Sequence, residues 1–163
     1  MKHEKIWFVV RSGIIGALYV ALTLALQPIG FGLVQLRVSE ALTVLPYYDK
    51  AAIPGLFVGC LLANLIGGNG IWDIIFGSLA TLVAALLTSR IQNKYVALLP
   101  PVIINAVVIG TMLSILIPFS LFLSIGSIAL GQIAACYGFG LLLMYMIDRT
   151  KLFKKIQQME ERK

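Results

Sequence analysis

The sequence predicts an all-α membrane protein, a six-helix transmembrane bundle with a short second helix and a re-entrant first loop. The chain is 60% hydrophobic and only 12% charged, whereas soluble domains carry about a quarter charged residues. The charges also gather near the two ends of the chain, and apolar runs long enough to span a bilayer lie between them. We expect residues 1–150 to form a single six-span membrane domain and residues 151–163 a basic cytoplasmic tail.

The first predicted helix runs from about Ile6 to Gln27 and stops at Pro28. No clear small-residue cleavage site follows it, so we expect it to stay as a helix. Small residues recur along it at every fourth position: Gly13, Ala17, Ala21 and Ala25. Such a stripe lets another helix approach closely. The partner is either a helix of this bundle or a separate docked subunit.

An apolar loop and a short helix are predicted next. Residues 28–35 contain two glycines and a proline yet stay apolar. This pattern fits a re-entrant loop held against protein, and equally a plain interfacial loop. The second helix, about Val38 to Tyr48, is too short to cross a bilayer alone. An α-helical rise from Asp49 puts Glu40 about 13–14 Å along the helix, near the middle of a ~30 Å hydrocarbon core.

Four further spans complete the predicted bundle. They run from about Ala51 to Ile66, Ile74 to Ser89, Val96 to Ile117, and Ile125 to Ile147. The first of these four has its own stripe of small residues: Gly55, Gly59, Ala63 and Gly67. A glycine-rich turn, residues 67–73, leads into the fourth span, and a short apolar turn, residues 118–124, leads into the sixth.

The distribution of positive charge predicts the orientation. Six spans place both termini on one side of the membrane. The N-terminus, the C-terminus and the loops with Lys50, Arg90 and Lys94 all fall on that side. Because cytoplasmic loops are enriched in Lys and Arg, we expect both termini to be cytoplasmic. Arg37 is then the exception, a cation on the outer side.

Polar residues inside the predicted spans mark a candidate substrate-binding site, because ionisable groups at membrane depth are costly and usually functional. The candidates are Arg37, Glu40, Asn64, Asn69, Trp72, Asp73, Asn105 and Gln132. They range from mid-membrane to the outer face, which predicts a pocket open to the outside.

Structural roles would also explain these residues. Arg37 and Glu40 lie three apart, so a helix would let them form a mutual ion pair. Asn105 and Gln132 would serve as interhelical hydrogen-bonding groups, Trp72 as an interfacial anchor, and Asp73 as a helix cap. The sequence leaves these alternatives open.

The candidate residues suit a small, flat, hydrogen-bonding solute. Glu40 can accept two N–H bonds from an amidine-like edge such as that of guanine, an amide of Asn105 or Gln132 can serve a carbonyl oxygen, and Trp72 can stack. The sequence shows no nucleophile–base pair, no metal-ligand spacing and no nucleotide-binding motif. An enzyme is therefore disfavoured, and we expect no catalytic residue, metal or cofactor. Uphill uptake would need partner subunits or an ion gradient.

Five blocks of sequence resemble one family of transporters. They are residues 36–46, beginning Leu36-Arg37-Val38-Ser39-Glu40, and residues 64–73, 76–82, 100–106 and 131–137. Over roughly residues 5 to 150 the chain is similar to the QueT family of queuosine-precursor transporters. These are substrate-capture (S) components of energy-coupling factor (ECF) uptake systems.

The resemblance implies a function. S components have six membrane helices, bind a vitamin-like solute from outside, and use their first loop as a lid. They join a scaffold transmembrane subunit and two ATPase subunits in a prokaryotic plasma membrane. Small residues on the first helix form part of the scaffold contact, and Gly13, Ala17, Ala21 and Ala25 match them by position. The implied substrate is a 7-deazaguanine with a cyano or aminomethyl group, whose cation could meet Asp73 or Glu40.

Three other hypotheses compete. In the first, the protein is a stand-alone carrier of a small polar aromatic solute, coupled to an ion gradient through Arg37, Glu40 or Asp73. In the second, it is an ECF subunit for another vitamin. In the third, it is a non-transporting scaffold held together by its small-residue stripes.

Overall fold

A computed structural model of the protein describes residues 2–30, 36–116 and 120–150, and every regular element in these ranges is helical. The α-helices are α1 (Lys2–Ala25), α2 (Gln27–Gly30), α3 (Ala52–Ile66), α4 (Ser78–Thr88), α5 (Leu99–Leu116), α6 (Leu121–Ile133) and α7 (Leu141–Thr150). A 3-10 helix, Val38–Tyr47, lies between α2 and α3, and a 3-10 turn, Val96–Leu98, leads into α5. Two π-helical segments, Asp73–Gly77 before α4 and Ala134–Gly140 between α6 and α7, complete six helical rods. The predicted six-helix all-α fold is confirmed.

The bundle carries apolar side chains outside and polar side chains inside. Three helical stretches are long and apolar enough to cross a membrane: His3–Ala25, Val96–Leu116 and Leu121–Thr150. Leu62 on α3 and Leu79 on α4 are exposed, whereas Glu40, Asn64 and Asn105 are buried. This is the reverse of a soluble protein, and it suits a protein whose surrounding solvent is lipid.

Glycines bring α1 and α3 into backbone contact. A Cβ atom on Gly59 would lie 2.9 Å from the carbonyl oxygen of Gly16, and one on Gly55 would lie 2.6 Å from that of Ser12. The small-residue stripe of α3 therefore packs within the bundle.

The stripe of α1 has different surroundings. Its four members, Gly13, Ala17, Ala21 and Ala25, are exposed, and a Cβ on Gly13 would meet no heavy atom within 4 Å. Packing inside the bundle does not account for this stripe, and docking of a partner stays a prediction.

Early and late segments of the chain meet at one end of the bundle. Arg11 forms an ion pair with Asp49 at 2.8 Å. The Tyr48 hydroxyl donates to Asp148 at 2.9 Å, and Lys94 approaches the same carboxylate at 3.5 Å. Burial, together with the bond to Asp148, raises the pKa of Tyr48. The first and last helices therefore contribute to the same end of the bundle, as an even number of membrane crossings requires.

Two predicted connections were partly wrong. Pro28 lies in the helical turn α2 rather than in a non-helical loop, because proline is tolerated in the first turn of a helix. Residues 31–35, the rest of the predicted re-entrant loop, lie outside the described residues.

The predicted turn at 118–124 is helical from Leu121, since the amide of Ser124 already bonds the Ser120 carbonyl at 2.9 Å. The last helix continues to Thr150, and the predicted tail, 151–163, also lies outside the described residues.

The short second helix is a 3-10 helix and not an α-helix. Its first i to i+3 bond joins the Glu40 amide to the Arg37 carbonyl at 2.9 Å. Pro46 lies inside the helix and has no amide hydrogen to donate. The rise of a 3-10 helix is about 2.0 Å per residue, so the stretch from Glu40 to Tyr47 extends about 14 Å along the axis, where an α-helix would extend about 10.5 Å.

Replacing Gly59 with alanine should destabilise the bundle by about 1–3 kcal/mol, because the new methyl group would press on the backbone of Gly16. Gly13→Ala is the matched control, since it adds the same methyl group to the same kind of helix at an open position. Thermal unfolding in detergent measures both. Equal stability of the two variants would contradict the close approach of α1 and α3.

Candidate substrate-binding site

The carboxylate of Glu40 lies at the centre of a polar cluster. Its side chain is only 1% exposed. The Tyr19 hydroxyl donates to Oε1 at 2.5 Å, and the Asn105 side-chain amide donates to Oε2 at 3.2 Å. The first distance is in the range of a hydroxyl bonded to a charged acceptor. Residues from α1, the 3-10 helix and α5 thus meet at one buried acceptor.

Arg37 lies just before the 3-10 helix and pairs with Asp73. Its backbone is extended, with φ −83° and ψ 95°, and its side chain is 5% exposed. The guanidinium Nη2 lies 2.9 Å from Asp73 Oδ1. An Arg37–Glu40 ion pair on one helix face requires both residues to be helical. Because the backbone of Arg37 is extended, its side chain reaches Asp73 in the π-helical segment before α4.

The glycine-rich turn, residues 67–73, positions Asp73. Gly68 and Gly70 have φ values of +66° and +92°, which glycine adopts readily. The Asn64 side-chain amide donates to the Asp73 carbonyl at 3.0 Å, and Asn69 donates to the Asn64 side chain at 3.4 Å. Three of the predicted residues are therefore brought together beside Arg37.

Trp72 lies at the mouth of an apolar cavity next to this turn. Its ring is 48% exposed and stacks on Phe76, with centroids 5.8 Å apart and planes 17° apart. The two rings and one face of α5 line a cavity of about 530 Å³, a volume typical of small-molecule sites. The α5 side chains are Val107, Val108, Thr111, Met112, Ile115 and Leu116. Trp72 thus contributes an exposed aromatic ring to the lining of this cavity.

Gln132 is buried but reaches the site indirectly. Its side-chain oxygen lies 3.8 Å from the sulfur of Cys136. That sulfur is also 3.8 Å from the backbone carbonyl of Glu40. Through Cys136, these contacts link Gln132 to the backbone of the 3-10 helix, and its expected bond to a carbonyl oxygen of the ligand stays a prediction.

Sequence reasoning missed Tyr19 and Thr23 of α1. The hydroxyl groups of Thr23 and Ser39 are hydrogen-bonded at 2.7 Å, one residue before Glu40, and the Tyr19 hydroxyl donates to Glu40 itself. The two residues are four apart and interrupt an apolar helix with hydroxyl groups. They lie between the members of the exposed stripe in sequence. Helical spacing could therefore have assigned them to the inner face.

Asp73→Asn should lower the stability of the protein by about 2 kcal/mol or more, because it removes the negative charge that lies 2.9 Å from the buried Arg37 guanidinium. Asp148→Asn is the control: it removes a carboxylate from an exposed pair with Lys94, where the expected loss is below about 1 kcal/mol. Chemical or thermal unfolding in detergent compares the two. A loss at Asp148 that equals or exceeds the loss at Asp73 would contradict the assignment.

Comparison with known proteins identifies the family of the chain. A family model described as QueT transporter matches residues 9–149. A protein named queuosine precursor transporter QueT, from Lactococcus lactis subsp. cremoris (strain MG1363), is 36% identical over 101 residues. That similarity covers 58% of this chain and 59% of the relative's length. No solved structure matches. Because the family model spans most of the sequence, the chain belongs to the QueT transporter family.

Proposed function

We propose that this protein is the substrate-capture subunit of an ECF-type importer and binds a 7-deazaguanine queuosine precursor. Membership of the QueT transporter family and the printed name of the Lactococcus relative support the substrate class. The observation that carries the proposal is the buried Glu40 carboxylate, held by donors from two other helices. A carboxylate at this depth is costly, so its presence usually indicates a function.

Glu40 recognises the guanine edge in this proposal. A carboxylate offers about four lone-pair sites on two oxygens, and the guanine edge presents two adjacent N–H donors. The contact is bidentate and charge-assisted, the strong class of hydrogen bond. Asn105, which already touches Glu40, has a side-chain oxygen that suits a further ligand N–H.

The Arg37–Asp73 pair and Trp72 form the outer part of the proposed site. Trp72 and Phe76 offer aromatic faces at the apolar cavity, and a deazaguanine ring stacks on such faces. Arg37 suits the carbonyl oxygen of the base. Asp73 suits the cation of an aminomethyl group, because its carboxylate is only partly buried. Asn64 and Asn69 hold Asp73 in place.

The orientation and the partners are part of the same proposal. At one end of the bundle Arg11 pairs with Asp49 and Lys94 pairs with Asp148. We place that end and both termini in the cytoplasm of a prokaryotic cell, because cytoplasmic loops are enriched in Lys and Arg. The sequence carries no nucleotide-binding motif of the P-loop type, and two ATPase subunits supply the energy. The exposed α1 stripe meets the scaffold transmembrane subunit.

Glu40→Gln should weaken deazaguanine binding by at least tenfold, because an amide oxygen and an amide N–H₂ cannot accept two N–H donors together. Isothermal titration of purified protein with a panel of deazaguanines, purines and vitamins measures it. Glu4→Gln makes the same change at an exposed site and should leave affinity unchanged. A clear preference for another vitamin would overturn the substrate assignment, and full affinity in Glu40→Gln would remove Glu40 from the site.

Replacing both Ala17 and Ala21 with leucine should abolish co-purification with the scaffold subunit while leaving ligand affinity unchanged, because both positions face outward. Ala134→Leu adds the same bulk at an exposed position outside the stripe and should leave assembly intact. Uptake into vesicles should require the ATPase subunits. Uptake by this chain alone, lost when an ion gradient is collapsed, would favour the ion-coupled carrier instead.

A further inference from the structure

We propose that Tyr19 is a positioning residue that sets the specificity of the site for ligands with two adjacent N–H donors. This inference rests on the proposed function, in which Glu40 binds the ligand. Tyr19 itself stays a protein-to-protein contact. Its hydroxyl fixes the plane of the Glu40 carboxylate, and the carboxylate then reads the ligand's edge.

The hydrogen bonds around Glu40 are divided between its two oxygens. Tyr19 donates to Oε1 and Asn105 donates to Oε2. Each carboxylate oxygen has two lone-pair sites. Among the described side chains, these two donors leave one lone-pair site on each oxygen. A carboxylate with one free acceptor site on each oxygen can take both N–H donors of an amidine edge.

Tyr19 can impose this geometry because its own position is fixed. The side chain is 1% exposed and packs with Leu42, Leu45 and Leu56 in one apolar cluster. Gly59 of α3 packs closely against this residue, since a Cβ atom added at Gly59 would lie 3.0 Å from Tyr19 Cβ. Thr23 bonds both the Tyr19 carbonyl, at 2.8 Å, and the Ser39 hydroxyl, at 2.7 Å, so α1 and the start of the 3-10 helix keep a fixed register.

The glutamate side chain cannot set this orientation alone. The terminal torsion of glutamate is broad and roughly two-fold, so an unsupported carboxylate samples many planes. With the Tyr19 hydroxyl removed, the remaining described donor is Asn105 at 3.2 Å. A carboxylate held at one oxygen still accepts a single N–H bond, but it meets a paired set of donors less often. Loss of the hydroxyl should therefore penalise two-donor ligands more than one-donor ligands.

The test compares two ligands that differ in one amino group. 7-Deazaguanine presents two adjacent N–H donors, and 7-deazahypoxanthine lacks the 2-amino group and presents one. Titration calorimetry should show that wild-type protein prefers 7-deazaguanine. Tyr19→Phe should weaken 7-deazaguanine binding about tenfold and reduce the ratio of the two affinities by a similar factor. Tyr137→Phe, which removes a hydroxyl bonded to the Tyr95 carbonyl, should leave the ratio unchanged.

A purely structural tyrosine would behave differently. Tyr19→Phe would then lower the melting temperature and weaken both ligands equally, and an unchanged ratio overturns the proposal. In the Glu40→Gln background, Tyr19→Phe should no longer change the ratio, because the group that it positions is gone. A further reduction there also overturns it. If wild-type protein binds neither ligand, the proposed function itself fails, which separates the two outcomes.

Non-natural side chains keep the comparison decisive if the phenylalanine variant is poorly folded. 4-Aminophenylalanine and 4-fluorophenylalanine at position 19 both fill the space of the hydroxyl, and only the first donates a hydrogen bond. The amino variant should retain the wild-type preference, and the fluoro variant should lose it. Equal ratios in these two proteins would overturn the proposal independently of stability.

Discussion

A buried carboxylate is stable only when hydrogen-bond donors or positive charge surround it, and the buried Glu40 imposes this requirement on the whole bundle. Its donors, Tyr19 and Asn105, come from α1 and α5. Those helices must therefore converge on a 3-10 helix too short to cross the membrane alone. The packing of the six rods is thus constrained at its centre by polar chemistry, while apolar side chains face outward.

Glycine contacts make this convergence sterically feasible. Gly16, Gly55 and Gly59 let α1 and α3 approach at backbone distance, and this approach brings Tyr19 into the core. The glycine-rich turn, residues 67–73, works in the same way, since its two glycines with positive φ let the chain turn so that Asp73 meets Arg37. Backbone geometry that glycine favours thus makes possible both the Tyr19–Glu40 contact and the Arg37–Asp73 contact.

Much of the fold was predictable because charge and helix-breaking residues are rare in this chain. Six apolar runs, and Arg37, Glu40 and Asp73 among them, stand out without any tertiary information. The ion pair of Arg37 with Asp73 could not be predicted in this way, since the two residues lie 36 positions apart and the i, i+3 spacing of Arg37 and Glu40 applies only to a helix. Tyr19 was missed because an aromatic residue in an apolar helix resembles ordinary core. The 3-10 geometry was missed because an α-helix has a similar apolar spacing over ten residues.

The two faces of α1 have a consequence for which changes of length the chain tolerates. Ala17 and Ala21 face outward, while Tyr19 and Thr23 face the polar core. An inserted residue would rotate every later position of the helix by about 100°. A single insertion near residue 18 would turn Tyr19 and Thr23 away from Glu40 and Ser39, and it would break the outer stripe between Ala17 and Ala21. This stretch of helix should therefore accept substitutions more readily than insertions or deletions.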